Sequence, residues 1–564
     1  MATNTVFQAL DTETNRLAQY FLNRIYEDNS AERKHFLSWL KHDVKELHDK
    51  VNIVHKKLLM NQMFPNFAID TKNDIIAADY RNKGNDQFQL GNSLEAVEHY
   101  NNCIAMAKSK EILALAYADR SEVFFTLCMR KECLEEIERA LASGYPDEVQ
   151  MAGRRERIQQ LQESANNYYE EVPEIIAKHP TIQSASDCVR IGESGRCVVA
   201  TRDIDIGEVI AVEKPYTSAV FPNDNLFYCH HCSKLCYNMI ACEHCTQALF
   251  CGKECKQKSL DLYHRYECPI LFALNEYKAN DTTLLVALRV ALLALNDCFM
   301  LNTFEGDHRK VYRSDRYNEI HFLRPTSEPS ELDLLHETVL TAFVYELLWA
   351  KTSYFHRVTS LWCHQDDFRN KFKEVMLQQL LSTKFNAVKI YDYVHNPKLN
   401  ETDNYGFGMY SFFPLFAHSC CANVMKSYHG TTMVLRALNT IKKGHQCFVN
   451  RYGLRYDAFT EPVRSHMLLV SRLPPCECKA CRERWIPHLG NLPQICEQLG
   501  IENMEFEHII KRFIGIDLDV AKEYLPRLIA MLKECEEAEP LGNALILKRM
   551  IAHCYAIFGN KRML

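Results

Sequence analysis

Eight side chains that bind metals well fall within forty residues, as the pairs Cys229-x2-Cys232, Cys242-x2-Cys245, Cys251-x3-Cys255 and His264-x3-Cys268. Four chelating pairs are what two tetrahedral zinc sites with sulfur and imidazole donors require. A segment this short cannot bury a core of its own, so metal binding supplies its folding energy and the sites are structural. A run of reduced cysteines without metal does not account for four pairs at chelating spacing. His230, His231, Cys236 and His244 lie among these ligands and are read as surface or packing residues. Farther on, Cys476-x-Cys478-x2-Cys481 offers three thiols in need of a fourth ligand, and Cys420 is the nearest candidate with no other claim on it.

The rest of the chain must position these sites. Its 564 residues suffice for roughly three or four domains, each able to bury a core. With 24 cysteines and no apolar run long enough for a signal peptide or membrane span, the expected compartment is reducing, cytoplasm or nucleus. A net charge of -6 argues against binding nucleic acid through its phosphates. The locally basic end of the cysteine-rich segment (Lys253, Lys256, Lys258, His264, Arg265) reads as a solvated helix face. The chain is expected to be a monomer, off the membrane, with no direct contact to nucleic acid.

Residues 1–70 carry apolar positions at helical spacing, among them Phe36, Leu40, Val44 and Leu47, and no motif with chemistry. From about residue 77, Lys83-Gly84-Asn85, Phe88, Ala96, Tyr100 and Cys103 recur 37 positions later as Arg120-Ser121, Phe125, Cys133, Ile137 and Ala140. This recurrence resembles the tetratricopeptide repeat, in which small residues sit where two antiparallel helices touch. Two repeats rarely stand alone, so the first 70 residues and a helix near 148–170 are expected to cap them. The repeats offer either a concave groove for a peptide or a scaffold docked on the rest of the chain.

Near residue 182 the composition changes. Val189-Arg190, the glycine turn Gly192 to Gly195, Cys197 to Ala200 and Gly207 to Ile210 read as short strands, without the helix that a dinucleotide fold would place next. Residues 270–395 are mostly helical by pattern, and strands such as Thr432–Leu438 and Gln446–Val449 follow. The expected class is α+β: a β-rich core, split by the cysteine-rich segment, between N-terminal and C-terminal helical domains. Its segments are 1–70, 71–175, 182–228, 229–268, 269–395, 396–465, 466–485 and 486–564.

The order CxxC, CxxC, CxxxC, HxxxC resembles the MYND finger, a protein-interaction module. In that family the pairs interleave, which implies one site from Cys229, Cys232, Cys251 and Cys255 and another from Cys242, Cys245, His264 and Cys268. Eight residues separate Cys255 from His264 where seven are commoner, so the last helix is expected to be one residue longer. Together with Ala417-His418-Ser419-Cys420 and Asn450-Arg451-Tyr452-Gly453, these pieces resemble a SET domain split by a MYND finger: the SMYD family of protein-lysine methyltransferases, in the subclass with N-terminal tetratricopeptide repeats. The resemblance implies a third zinc at Cys420, Cys476, Cys478 and Cys481. It implies S-adenosylmethionine bound by Glu193, Ser194, Gly195, Asn386, Ala417, His418 and Tyr452, with Tyr452 the catalytic channel tyrosine. It also implies a protein lysine as substrate and protein partners on the finger and repeats.

Methyl transfer to an amine is an in-line displacement, so positioning does most of the work. Several residues depart from the family pattern. Ala417 stands where the family has asparagine, a lost amide worth about 1–3 kcal/mol if its partner stays buried and unpaired. Gly444-His445-Gln446 replaces Gly-Glu-Glu with one extra residue before Tyr452, and Ala422 replaces a proline. Arg472 and Pro474 occupy places usually held by aromatics of the lysine channel and donor site. The resemblance therefore supports two functions: a working protein-lysine methyltransferase, or a weak or inactive scaffold that binds proteins through its finger and repeats, with a role in transcriptional regulation.

Overall fold

The computed structural model describes residues 16–26, 29–161, 171–193, 195, 197–277, 282–297, 312–323, 325, 327–357, 365–394, 401–486, 518–540 and 543–562. The chain divides into two compact units. One comprises Met1–Ala165, Ala219–Thr303 and Glu328–Ala387; the other comprises Asn166–Ser218, Phe304–Ser327 and Val388–Leu564.

The first unit is helical around the cysteine-rich segment. Its recurring stretch forms two helix pairs, Asp74–Gln89 with Ser93–Met106 and Lys110–Thr126 with Arg130–Ala142, followed by Glu148–Gln160. Three of these helices begin at a side chain able to satisfy orphan N–H groups: Asn73 accepts from Ile75 N (2.9 Å), Ser109 from Ile112 N (3.3 Å) and Asp147 from Gln150 N (2.8 Å). Gly84 lets the first pair close, because a Cβ there would lie 2.6 Å from the Tyr100 ring. Glu148–Gln160 buries Met151 and Ile158 against the end of the stack. The earliest helices do something other than cap it. Phe21, Phe36, Leu40, Val51, Val54 and Leu58 form one core with Leu335, Val339, Phe343 and Leu377, on helices Glu331–Lys351 and Gln365–Asn386. Long-range apolar partners decide such docking, and 37-residue periodicity carries no information about them. Helix Glu331–Lys351 starts at a capping box in which Ser330 and Asp333 satisfy each other's backbone N–H groups (3.2 and 3.1 Å).

The second unit holds a seven-stranded sheet. Its order is Val189–Ile191, Val198–Ala200, Gln446–Val449, Val424–His429, Thr432–Ala437 and Val209–Glu213, with Ala417–His418 also paired to Gln446–Val449. Helices Leu518–Cys535 and Ala544–Phe558 pack on this unit through Val520, Leu528, Leu532, Leu547 and Ile551, together with Ile206. Gly207 is required at that contact: its φ is +85°, and a Cβ would come within 2.4 Å of the Tyr555 hydroxyl.

Candidate functional site

The cysteine-rich segment is pinned by the repeats, within the same unit. Arg120, fully buried against Glu136, donates from Nη2 to Met239 O (3.0 Å), and Asn101 Nδ2 donates to Leu226 O (2.7 Å). Arg139 Nη1 reaches Asn238 O (2.6 Å), while Asn238 Nδ2 donates to Glu135 (2.8 Å). The repeats are thus docked on the segment's loops through buried charge-assisted hydrogen bonds, the stronger kind.

Two ligand groups form there: Cys229, Cys232, Cys251 and Cys255, and Cys242, Cys245, His264 and Cys268, the ligand atoms of each lying within 4.8 Å of one another. Zinc–sulfur bonds of about 2.3 Å in a tetrahedron put sulfurs about 3.8 Å apart, and a sulfur–imidazole edge at about 3.6 Å. The structure has Cys232 to Cys251 at 3.8 Å, Cys242 to Cys268 at 3.8 Å and Cys245 Sγ to His264 Nε2 at 3.6 Å. The donors therefore fit zinc in type and spacing. The extra residue before His264 is absorbed by π-helical winding over Leu260–His264, between Lys253–Ser259 and Arg265–Glu267, so the helix does not simply lengthen. A π-bulge takes up one residue while keeping later side chains in phase.

Behind His264 stands a network that sequence reasoning missed. His264 turns Nε2 to the thiols and Nδ1 to the Glu267 carboxylate (3.2 Å), the carboxylate–histidine arrangement that fixes a metal-binding tautomer. Glu267 also accepts from Arg289 Nε (2.9 Å), and all three side chains are fully buried. Burial opposes its charge, yet Arg289 holds the Glu267 carboxyl well below its usual range. His230 joins this network, accepting from Arg289 Nη2 at Nε2 (2.6 Å), and burial first and Arg289 second push its pKa down to about 4. Glu267 could have been suspected from its place inside the His264–Cys268 pair; Arg289 had no local signal.

In the second unit Cys420, Cys476, Cys478 and Cys481 form a third group, with Cys420 and Cys481 sulfurs 3.6 Å apart. In each of the three groups one thiol is driven far down by its neighbours: Cys229 by Cys232 first, Cys242 by Cys245, and Cys478 by Cys420. Such charge sharing is what a cation would stabilise. The buried Arg464 donates to Cys481 Sγ (3.4 Å), an outer-shell cation beside an all-thiolate set.

Next to this group lie two of the residues singled out for donor binding, His418 and Tyr452. Strand Gln446–Val449 pairs antiparallel with Val198–Ala200, which follows the Gly192–Gly195 turn, and farther along in parallel with Ala417–His418. Glu193 and Gly195 are exposed at that turn, and Ser194 lies outside the described residues. His418 faces Tyr452, ring centroids 4.8 Å apart. Its Nδ1 accepts Arg451 N–H (3.2 Å), and Nε2 approaches Cys420 Sγ (3.6 Å). Burial pushes His418 down to about 4, so it stays neutral, and burial raises the Tyr452 phenol, so it stays protonated. Ala417 offers no polar group beside them. The loop leading to it is pinned by buried Glu213, whose carboxylate accepts from Ser411 N (2.8 Å), Phe412 N (2.7 Å) and Phe413 N (2.9 Å). One amide here has no partner among the described residues: both the Oδ1 and Nδ2 of Asn450 are buried and unbonded. Arg472 is exposed, just past helix Glu461–Val470, in left-handed conformation with φ +54°; Pro474 is exposed too. Asn386 belongs to the first unit, at the end of Gln365–Asn386, and donates from Nδ2 to Ser382 O (3.1 Å) and Oγ (3.0 Å).

Comparison with known proteins agrees with this architecture. The SET domain family model matches residues 195–453. The chain is 26% identical over 244 residues to the protein-lysine N-methyltransferase SMYD4 of Danio rerio, covering 38% of this chain and 32% of that protein. It is 22% identical over 537 residues to human SMYD4, covering 72% and 66%. To the N-lysine methyltransferase SMYD2-B of Xenopus laevis it is 24% identical over 287 residues, covering 51% and 58%. Fold and site thus define a SET-domain protein of mixed α/β structure with clustered zinc-type ligands. Within that class, the relatives it is similar to are SMYD proteins. The first two matches span 32% and 66% of those relatives' lengths. None of the described helices is long and apolar enough to cross a membrane.

Proposed function

We propose that this chain is an S-adenosylmethionine-dependent protein-lysine N-methyltransferase carrying three structural zinc ions. The observation that carries the reading is the meeting of neutral His418, on the strand paired with Gln446–Val449, and protonated Tyr452, just past the end of Gln446–Val449, beside the third thiol group. The unpaired amide of Asn450 fits the same reading, because a polar ligand would satisfy a group that the folded chain leaves buried without a partner.

When bound, S-adenosylmethionine supplies an electrophilic methyl group. Around it, His418 offers a fixed tautomer, its Nδ1 already occupied by Arg451 N–H. Tyr452 offers a hydroxyl that keeps its proton and can orient the acceptor amine. Glu213 holds the loop before Ala417 in place, which is the positioning that an in-line transfer depends on. Arg472 stands exposed rather than buried, which is not the setting of a channel wall. Protein partners would use the finger and repeats, and the tetratricopeptide subclass and a cytoplasmic and nuclear location belong to this proposal, since thiol ligands require a reducing compartment.

A second reading, a scaffold with little activity, is favoured by Ala417 and by the repeat side chains that already occupy the finger's loop carbonyls. Isothermal titration with S-adenosylmethionine, followed by a lysine-peptide assay of wild type and Tyr452→Phe, separates them. Donor binding with turnover lost in Tyr452→Phe supports the enzyme; no donor binding by wild type refutes it.

A further inference from the structure

We propose that Lys426 is a methylation site on this chain itself, and that Tyr391, Phe413 and Tyr428 form an aromatic box for its methylated ammonium. Lys426 lies in strand Val424–His429, where side chains two apart share a face. It therefore sits between Val424 and Tyr428, both almost fully buried, at a position where the pattern calls for an apolar residue. Lysine at such a position needs either an anion or a special environment. Among the described residues no carboxylate pairs with it. Its Nζ faces rings instead: Phe413 at 5.6 Å, Tyr428 at 5.8 Å and Tyr391 at 5.9 Å from the centroids.

The box is rigid before any modification. Tyr391 and Tyr428 stand at 88° to each other with centroids 4.9 Å apart, two perpendicular walls. Each is held by its hydroxyl, Tyr391 donating to Lys426 O (2.9 Å) and Tyr428 to Lys389 O (2.9 Å). Phe413 is held through its own N–H on the Glu213 carboxylate. A plain ammonium has three N–H donors to satisfy, and ring faces satisfy them poorly. A methylated ammonium keeps the charge, sheds donors and is more weakly hydrated, which is why aromatic boxes select it. The spacing suits it as well. An N-methyl carbon extends about 1.5 Å from nitrogen, roughly a C–N single bond, and so comes to lie against a ring face without displacing it.

The chemistry is open to this amine. Burial first, and the nearby Lys389 second, bring its pKa down to about 8, so a substantial neutral fraction exists near physiological pH. Lys426 also keeps part of its surface in solvent. In the transfer, the Nζ lone pair bonds the methyl carbon of S-adenosylmethionine, the carbon–sulfur bond breaks with its electrons remaining on sulfur, and an Nζ proton leaves to water. Whether this chain supplies the activity rests on the methyltransferase reading above; the box does not.

Two measurements test the box alone. Mass spectrometry of the peptide containing Lys426, from protein purified from its natural source, is expected to show methylation, and a wholly unmodified lysine overturns the proposal. Full-length protein carrying Nε-methyllysine genetically installed at 426 is expected to melt about 2–4 °C higher than the lysine form; an unchanged or lower melting temperature overturns it. A third measurement separates the two readings. On incubation with isotopically labelled S-adenosylmethionine, label is expected on Lys426 and absent in Tyr452→Phe. Label on added lysine peptides without label on Lys426 overturns self-methylation while the enzyme reading stands. Label on no lysine at all refutes the enzyme reading, and the box is then judged by the first two results.

Discussion

Replacing Glu267 with glutamine should release one zinc from the finger and leave the others. The carboxylate is fully buried, accepts from Arg289 Nε at 2.9 Å and holds His264 Nδ1 at 3.2 Å. Glutamine keeps the size and one acceptor oxygen but removes the charge. Two losses follow. Outer-shell partners of a metal-binding histidine are worth about 10–100-fold in metal affinity, so release from Cys242, Cys245, His264 and Cys268 should accelerate by that order. Arg289 loses the Glu267 carboxylate it is paired with, and breaking a buried pair costs about 3–5 kcal/mol. The assay is chelator competition with a chromophoric zinc indicator, read beside a thermal melt: wild type should hold three zincs, and Glu267→Gln two under a chelator that wild type withstands. A double replacement, Glu267→Leu with Arg289→Met, removes both charges and should recover most of the melting temperature while the weak zinc stays weak, because apolar groups can replace a buried pair but cannot fix a histidine tautomer. If Glu267→Gln holds three zincs as tightly as wild type and melts at the same temperature, the outer-shell account of this site is wrong.

Asn450→Leu should raise the melting temperature of the ligand-free protein, because it removes an amide whose unpaired burial costs about 1–3 kcal/mol, and should weaken S-adenosylmethionine binding in calorimetry. Ala417→Asn should tighten donor binding by up to about tenfold, equivalent to about 1.4 kcal/mol, whereas Arg472→Tyr should leave it unchanged; a reversed order would misplace both residues. Arg120→Met removes one of the two guanidiniums on buried Glu136, the other being Arg139, and takes the donor from Met239 O; it should destabilise by about 1–3 kcal/mol, with limited proteolysis cutting 229–268 earlier than in wild type. Gly207→Ala combines a left-handed backbone with a clash at Tyr555 and should destabilise by about 1–3 kcal/mol in denaturant unfolding, visible first as loosening of the C-terminal helices.

What the sequence determined by itself were features whose physics is local. Chelating pairs three or four residues apart and the strand runs between glycine turns are set by chain geometry within a few residues, and the 37-residue recurrence is legible because the same local helix pattern occurs twice. So were Tyr452 and His418 as residues of interest, through motif resemblance. Tertiary structure decided everything that depends on partners distant in sequence. Glu267 and Arg289 form an ion pair across 22 positions, and Glu213 reaches the backbone of Phe412 across 199. The helices of residues 16–60 pack on 331–386 because their apolar faces are complementary there, which periodicity cannot reveal. Arg472, alarming as a charge assigned to a channel, stands exposed because the helix before it ends in a left-handed turn. Lys426 is the same lesson in reverse: in sequence it is one more lysine, and only folding brings Tyr391 and Phe413 to join Tyr428 of its own strand around it, with no carboxylate paired to it among the described residues.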